Sequence, residues 1–401
     1  MLIDSTVNTR IEDETANWGA VFAMSLCVFV LIASEFLPVS LLTPIASDLM
    51  MTEGQTGQTI SVSGIFAVIT SLYVAVITRT MDRRVVMLTL TFIMILSGFV
   101  VTFAPNYFVL MVGRALLGIV IGGFWSLSTA TLMRLLPAEA LPKGLAILNG
   151  GNALAATVAA PVGSFLGESI GWRGAFFTIV PLAIISLIWQ MKTFPSMKPI
   201  HIRVISLNVF KLFGRLEFSI GMAAILCLFM GQFSLSTYMR PFLETVTGMT
   251  VSRLSFTLLV LGVTGFIGTI VVGRLLSKTL FPILIGWPFI MSLIGLGFIS
   301  FGSDEYSTIW VVAAWGFIGT SACVGWSVWL ANVAPNDMEQ GGGLMVAVIQ
   351  LAITLGAGIG GVLYDHHGYK TTFSTSAFIL LCAAALSFIA YRMRYSVRAM
   401  S

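Results

Sequence analysis

Charge is what this chain has least of. Asp, Glu, Lys and Arg make up 9% of its 401 residues, against roughly 25% in soluble domains. A soluble chain this apolar would have no polar surface to present to water. Histidine and cysteine are also scarce. His201, His366 and His367 fall in expected loops, and two adjacent histidines cannot close a zinc site alone. Cys27, Cys227, Cys323 and Cys382 lie in apolar stretches without a Cys-x-x-Cys pair, so they read as small packing residues. No Gly-x4-Gly-Lys-[Ser/Thr] loop occurs, so this chain is not expected to hydrolyse ATP. Nor does Gly-x-Ser-x-Gly or His-Glu-x-x-His, which argues against an intramembrane hydrolase. An enzyme is therefore not expected, and neither is a metal, an organic cofactor or a nucleic-acid partner.

What is present is apolar. Hydrophobic residues make up 57% of the chain, and 39 glycines accompany them, suiting helices that pack closely in lipid. A span needs about 20 mainly apolar residues to cross the hydrocarbon core. Twelve candidates run near 18–45, 56–77, 85–104, 107–132, 144–166, 173–191, 218–242, 254–276, 281–301, 307–332, 342–363 and 371–391. A basic stretch from Lys192 to Arg215 divides them six and six. The first is not read as a cleaved signal, because Asp4, Glu12, Asp13 and Glu14 outnumber Arg10 before it and the run is too long. The expected organisation is an all-α polytopic membrane protein. It has a six-helix bundle over 1–191, a basic linker over 192–217 and a second six-helix bundle over 218–401.

Orientation follows from the cations. With the N-terminus placed in the cytoplasm, sixteen Lys and Arg fall inside and four (Arg173, Arg240, Arg253 and Lys370) fall outside. That bias fixes orientation and sets both termini inside. The loop at Pro335–Gln340, with Asp337 and Glu339, runs against the trend.

The halves are related in sequence. Gly163-Ser-Phe-Leu-Gly167-Glu168-Ser-Ile-Gly171-Trp172-Arg173-Gly-Ala-Phe176 aligns with Gly360-Gly-Val-Leu-Tyr-Asp365-His-His-Gly368-Tyr369-Lys370-Thr-Thr-Phe373 at a constant offset of 197. Glycine, acid, aromatic, base and Phe each meet their like. Such repeats imply two bundles about an axis along the membrane normal, with a site between them near the midplane.

Two charges lie deep in spans. Glu35 stands roughly 5 Å beyond the midplane of a span over 18–45, at 1.5 Å per residue. A charge there is unfavourable by about 2.5–3.5 kcal/mol on insertion scales, so such an acid usually faces a cavity or a partner. Glu35 is read as a proton carrier, with a helix-pinning hydrogen bond as the alternative. Arg114, in the fourth span at similar depth, must find an acceptor. Glu35 or backbone carbonyls of a neighbouring helix would serve, and a purely structural clamp is the rival role. Trp125, eleven residues on, shares its face. Candidate substrate contacts are Gln232, Gln350, Asn149 and Asn152 for hydrogen bonds, and Phe36, Trp125, Tyr238, Trp326 and Trp329 as aromatic faces. Pro38, Pro44 and Pro161 break i→i−4 bonds and permit bending. Gly118-x-x-x-Gly122, Gly163-x-x-x-Gly167 and Gly356-x-x-x-Gly360 read as packing strips first and sliding surfaces second.

These residues carry a resemblance. Glu35-Phe-Leu-Pro38-Val-Ser-Leu-Leu-Thr-Pro44 resembles the first-span motif of sugar- and nucleoside-efflux members of the major facilitator superfamily, in its twelve-span drug:proton antiporter branch. Arg114-Ala-Leu-Leu-Gly118 is similar to that branch's fourth-span motif, and Ala160-Pro161-Val-Gly163-Ser-Phe-Leu-Gly167 to its fifth-span antiporter motif. Asp82-Arg83-Arg84 resembles a reduced form of the loop motif between the second and third spans, with Thr78 and Val85 where glycines are usual. Gly122-Gly-Phe-Trp125, Gly231-Gln-Phe, Thr237-Tyr-Met-Arg240-Pro, Val324-Gly-Trp326-Ser-Val-Trp329 and Ala347-Val-Ile-Gln350-Leu resemble the purine-nucleoside exporters of that branch. The resemblance implies alternating-access export of purine ribonucleosides such as inosine, and of purine analogues, in exchange for protons across a bacterial inner membrane. It makes Glu35 and Arg114 the proton relay, and Asp82, Arg83, Arg84, Pro161, Gly163 and Gly167 the gating set. The partners expected are a small-molecule substrate and the lipid bilayer, with the chain acting as a monomer. A broader multidrug or sugar exporter is the nearest alternative, and a non-transporting structural or sensory membrane protein the distant one.

Overall fold

The computed structural model describes residues 16–137, 139–198, 208–334 and 338–399. The leader, the middle of the linker at 199–207, and Pro335, Asn336 and Asp337 lie outside the described residues. In chain order the helices are α1 Trp18–Ser40, α2 Leu42–Asp48, α3 Glu53–Ile77, α4 Arg83–Thr102, α5 Tyr107–Leu135, α6 Leu141–Phe177 and α7 Ile179–Thr193. After a 3-10 turn at Asn208–Gly214 come α8 Leu216–Ser236, α9 Met239–Thr245, α10 Val251–Phe301, α11 Glu305–Val333 and α12 Met338–Ala399.

Among the described residues ten stretches, not twelve, are long and apolar enough to cross a membrane. The difference has a physical reason. Lys143–Thr193 and Gly341–Met393 run to 51 and 53 residues, more than twice the ~20 that one crossing needs. Each turns at a glycine, Gly171 with φ 75 and ψ 164 and Gly368 with φ 74 and ψ 178. That backbone region is open essentially to glycine alone, so the chain reverses there without an intervening loop. These are the two glycines matched at the 197-residue offset. The expected first span, 18–45, is interrupted as well. Leu41 leaves helical geometry at φ −120 and ψ 13, separating α1 from the short α2.

Helix starts are fixed by caps. Asn17 accepts from the Ala20 N–H at 3.0 Å, Asn106 from Val109 at 3.1 Å and Asp304 from Ser307 at 2.8 Å. Thr52 and Gln55 close a reciprocal capping box at the start of α3.

Two cores form. One gathers buried side chains from Ala20 to Met197; the other runs from Leu212 to Ala383 and takes in Ile60 of the first half. At one end of the molecule lie the turns around Asp48, Arg173, Asp304 and Asp365, hereafter the Asp365 end. At the other, the linker end, lie Asp82, Arg134 and Lys192. The glycine strips are close-packed. A side chain on Gly118 or Gly122 would strike the Ser63 or Ala67 carbonyl of α3, and one on Gly356 would reach the Met230 carbonyl of α8 at 2.6 Å.

Candidate functional site

The site begins with a proline. Pro38 lies inside α1 and has no N–H to give the carbonyl four residues back, that of Ser34. Arg114 of α5 supplies the missing donor: one terminal nitrogen reaches the Ser34 carbonyl at 2.8 Å, and the other reaches the Glu35 carbonyl at 3.2 Å. The same guanidinium donates to the Thr59 carbonyl at 3.1 Å and the Ser63 hydroxyl at 3.1 Å, both on α3. Arg114 is 1% exposed, so its planar fork needs partners inside the protein, and two helices, α1 and α3, provide them. Of the two acceptors offered by the sequence, Arg114 therefore takes backbone carbonyls and leaves the Glu35 carboxylate free for another partner.

That partner comes from the far half. Gln350 of α12 donates its Nε2 to Glu35 Oε1 at 3.3 Å, and both side chains are 5% exposed. The amide oxygen of Gln350 is buried without a partner, as is that of Gln232. Beside the pair, Phe36 stacks on Phe233 of α8 at 5.8 Å between centroids. An acid, an amide and two rings, drawn from both halves, thus meet where α1, α8 and α12 converge.

From this point to the Asp365 end the halves are bonded together. Ser61 donates to the Thr354 carbonyl at 2.9 Å. Asp365 sits on the start of α3, accepting from the Thr52 hydroxyl at 2.6 Å and the Gly54 N–H at 2.9 Å. Arg240 donates to the Ser40 carbonyl and to Ser164 Oγ, while Glu244 holds it at 2.9 Å. Ser255 bonds Ser164 at 2.9 Å. Gly54 and Gly57 admit this closure because a side chain on the first would meet Asp365, and on the second the Tyr238 hydroxyl.

The other expected residues fall in varied places. Tyr238 is fully buried in the closed seam, donating to the Ala357 carbonyl at 2.7 Å and stacked on Tyr364. Trp326 and Trp329 are 1% and 0% exposed. They pack on each other, and Trp329 packs on Phe218, so neither offers a free face in this conformation. Trp125 is half-buried, edge-on to Phe124. Asn149 is exposed and bonds the Leu145 carbonyl of its own helix, while Asn152 is half-buried. Gly163 and Gly167 face Leu37, Ser40 and Leu41, so α6 packs tightly on the end of α1, next to Pro161. Asp82 caps α4 and accepts from Ser196 and from the Met197 N–H at 2.9 Å, and Arg84 donates to the Met191 carbonyl at 2.7 Å. Arg83 reaches Thr78 at 3.1 Å. These bonds tie the loop to the first half and to the start of the linker, and none reaches the second half. Sequence reasoning missed the Ser34 carbonyl, although Pro38 four residues on signals it, and the latch at Asp365.

Membrane-length helices in two interlocked sets, with a buried acid bridging them, define a polytopic carrier. The chain belongs to the Major Facilitator Superfamily, whose pattern matches residues 24–341, and is a multi-pass membrane transporter. It is 51% identical to the transcription regulatory protein OpdE of Pseudomonas aeruginosa over 385 residues, 95% of this chain and 96% of that one. It is 38% identical to the purine ribonucleoside efflux pump NepI of Escherichia coli over 382 residues, again 95% and 96%. Among solved structures, a bacterial homolog of the human lysosomal transporter Spinster, inward-facing and unoccupied, superposes with a TM-score of 0.76 at 15% identity, covering 94% of this chain and 97% of that one.

Proposed function

We propose that this protein exports purine ribonucleosides such as inosine, and purine analogues, across a bacterial inner membrane in exchange for protons, by alternating access. The observation that carries the reading is the Glu35–Gln350 bond. A buried titratable group touching both halves sits where occupancy by a proton can bias how they meet. The likeness to NepI pumps supports the substrate class. Segments 1–191 and 218–401 act as the two moving bodies joined by 192–217. The sixteen-to-four cation bias supports a cytoplasmic linker end and cytoplasmic termini, and on that orientation the bonded Asp365 end closes the outer face in this form. Arg114 holds α1 in shape while Glu35 gains and loses its proton. Phe36, Gln232, Gln350, Trp125, Asn149 and Asn152 are the proposed substrate contacts. Tyr238, Trp326 and Trp329 serve the packing around them. In the opposite form the Asp82–Arg84 loop takes the gating part that Asp365 plays here, and Pro161, Gly163 and Gly167 let α6 slide on α1.

The test is a cell lacking related exporters. Expression should protect it from toxic purine nucleosides, and Glu35→Gln, which keeps the shape but cannot exchange a proton in the working range, should abolish protection. Full protection by Glu35→Gln would refute the proton-carrier role. A second reading has a specific observation behind it, the likeness to OpdE. The described residues contain no soluble domain to grip DNA, so a regulatory effect would arise indirectly, through the inducer concentration that transport sets. In that case Glu35→Gln would remove regulation and transport together.

A further inference from the structure

We propose that Gln350 reports the protonation state of Glu35 to the substrate by reversing its side-chain amide. This rests on the nucleoside-export reading and specifies how its site discriminates. The backbone around Gln350 is fixed. Its own carbonyl accepts from Thr354 Oγ1 at 2.8 Å, and the Thr354 carbonyl accepts from Ser61 of α3 at 2.9 Å. The amide oxygen has no hydrogen bond that a half-turn would break. One end, Nε2, meets Glu35 Oε1 at 3.3 Å; the other end, Oε1, is buried with nothing to accept. A buried carbonyl oxygen without a donor is unfavourable and is filled by any ligand that brings one.

The chemistry follows from donor and acceptor counts. An ionised carboxylate only accepts, so it draws Nε2 towards itself and leaves Oε1 on the free side. A protonated carboxyl has an O–H to give, so it draws Oε1 instead, and a half-turn of the amide leaves Nε2 on the free side. The free end of Gln350 is thus an acceptor when Glu35 is ionised and a donor when it is protonated. A ligand N–H fits the first state and is repelled by the second. Proton and substrate exclude one another without contesting the same atom. The Phe36–Phe233 stack alongside supplies flat apolar faces, so the ligand class is a neutral aromatic base carrying a ring N–H, such as a 6-oxopurine with hydrogen on N1.

Charges around Glu35 leave the switch to it. Of those on elements packed against α1, Arg114 of α5 stands beside Glu35 and is occupied by carbonyls, and Arg240 of α9 is offset by Glu244. The others lie towards helix ends: Asp48, Glu53, Arg83, Arg84, Arg134, Lys143, Glu168, Arg173 and Lys192. On α12 the charged groups between Asp365 and Lys370 gather at the Gly368 turn.

The experiment is calorimetric binding to the full-length protein in lipid nanodiscs, across a pH series, with three ligands: inosine, 1-methylinosine and purine riboside. The last two lack the N1 hydrogen. At the alkaline end inosine should bind about tenfold more tightly than either, the scale of one buried acceptor left unpaired. At the acid end that preference should be lost, and against purine riboside, whose N1 accepts, it should reverse. Gln350→Met, similar in shape without the amide, should bind all three alike at every pH. A parent that binds inosine and 1-methylinosine equally throughout, or a Gln350→Met protein that keeps the parent's preference and pH dependence, would overturn the amide switch and leave nucleoside export standing. A parent that binds no nucleoside at any pH would instead sink the substrate assignment itself. The ligand series needs no variant, so poor folding of Gln350→Met leaves the comparison intact.

Discussion

Arg114 and Pro38 are best understood together. A proline in a membrane helix frees a carbonyl that lipid cannot satisfy, and here an arginine from another helix takes it up. The arginine's role in holding α1 then depends on the proline's presence. Arg114→Lys should lower the melting temperature in detergent, since an ammonium cannot reach four acceptors on two helices through a fixed fork. Each buried acceptor left unpaired is worth about 1–3 kcal/mol. Pro38→Ala returns an N–H to Ser34, so Arg114→Lys should cost less in that background than in the parent. Equal losses in both would mean the two residues do not interact. The sequence marks Glu35 and Arg114 as expensive charges and allows carbonyl acceptors. It does not say that Gln350, 315 positions away, closes on Glu35, because a pairing across halves depends on how they dock. The exposure of Trp326 and Trp329 was illegible for the same reason: an aromatic at helical spacing looks alike on a core face and on a binding face.

At the scale of elements, the Asp365 end is held by contacts that leave no room for added atoms. Gly57→Ala would put a methyl where the Tyr238 hydroxyl lies, and that side chain, bonded to the Ala357 carbonyl and stacked on Tyr364, would have to give up its place. The variant should favour the form in which this end is open. A cysteine at Ser61, whose hydroxyl now bonds across the seam, should then label faster with a membrane-impermeant thiol reagent added outside. An unchanged rate would mean the glycine serves packing within one form only. A second tie at the same end joins α2 to α6, where Asp48 takes Arg173 and the Trp172 indole. The Arg173 guanidinium beside Asp48 holds its carboxyl below the usual carboxylate range. A depressed value means stabilisation that is full above that range and fades as pH falls through the folded-state value. Asp48→Asn should therefore lower the melting temperature near about pH 7, with the difference from the parent narrowing towards about pH 3. A difference that widens on acidification would contradict that sign. The turns at Gly171 and Gly368 were legible as a matched pair. Their left-handed backbone, which fuses expected spans into α6 and α12, was not, since spacing alone shows where a chain turns but not whether a loop intervenes.

At the scale of the molecule, two halves with separate cores meet at an acid, an amide and a ring stack, and are bonded from there to one end. In the proposed alternating-access cycle solute moves as the bonded end is exchanged, and that exchange needs a ligand that distinguishes the two forms. The central claim is that a proton is that ligand, moving against the nucleoside. Purified protein in liposomes loaded with inosine and a trapped pH-sensitive dye, diluted into inosine-free buffer at equal pH, tests it most directly. Inosine leaving should drive protons inward and acidify the lumen, with Glu35→Gln showing no pH change. A lumen that stays at constant pH while inosine leaves through the parent, or one that turns alkaline, would contradict the account.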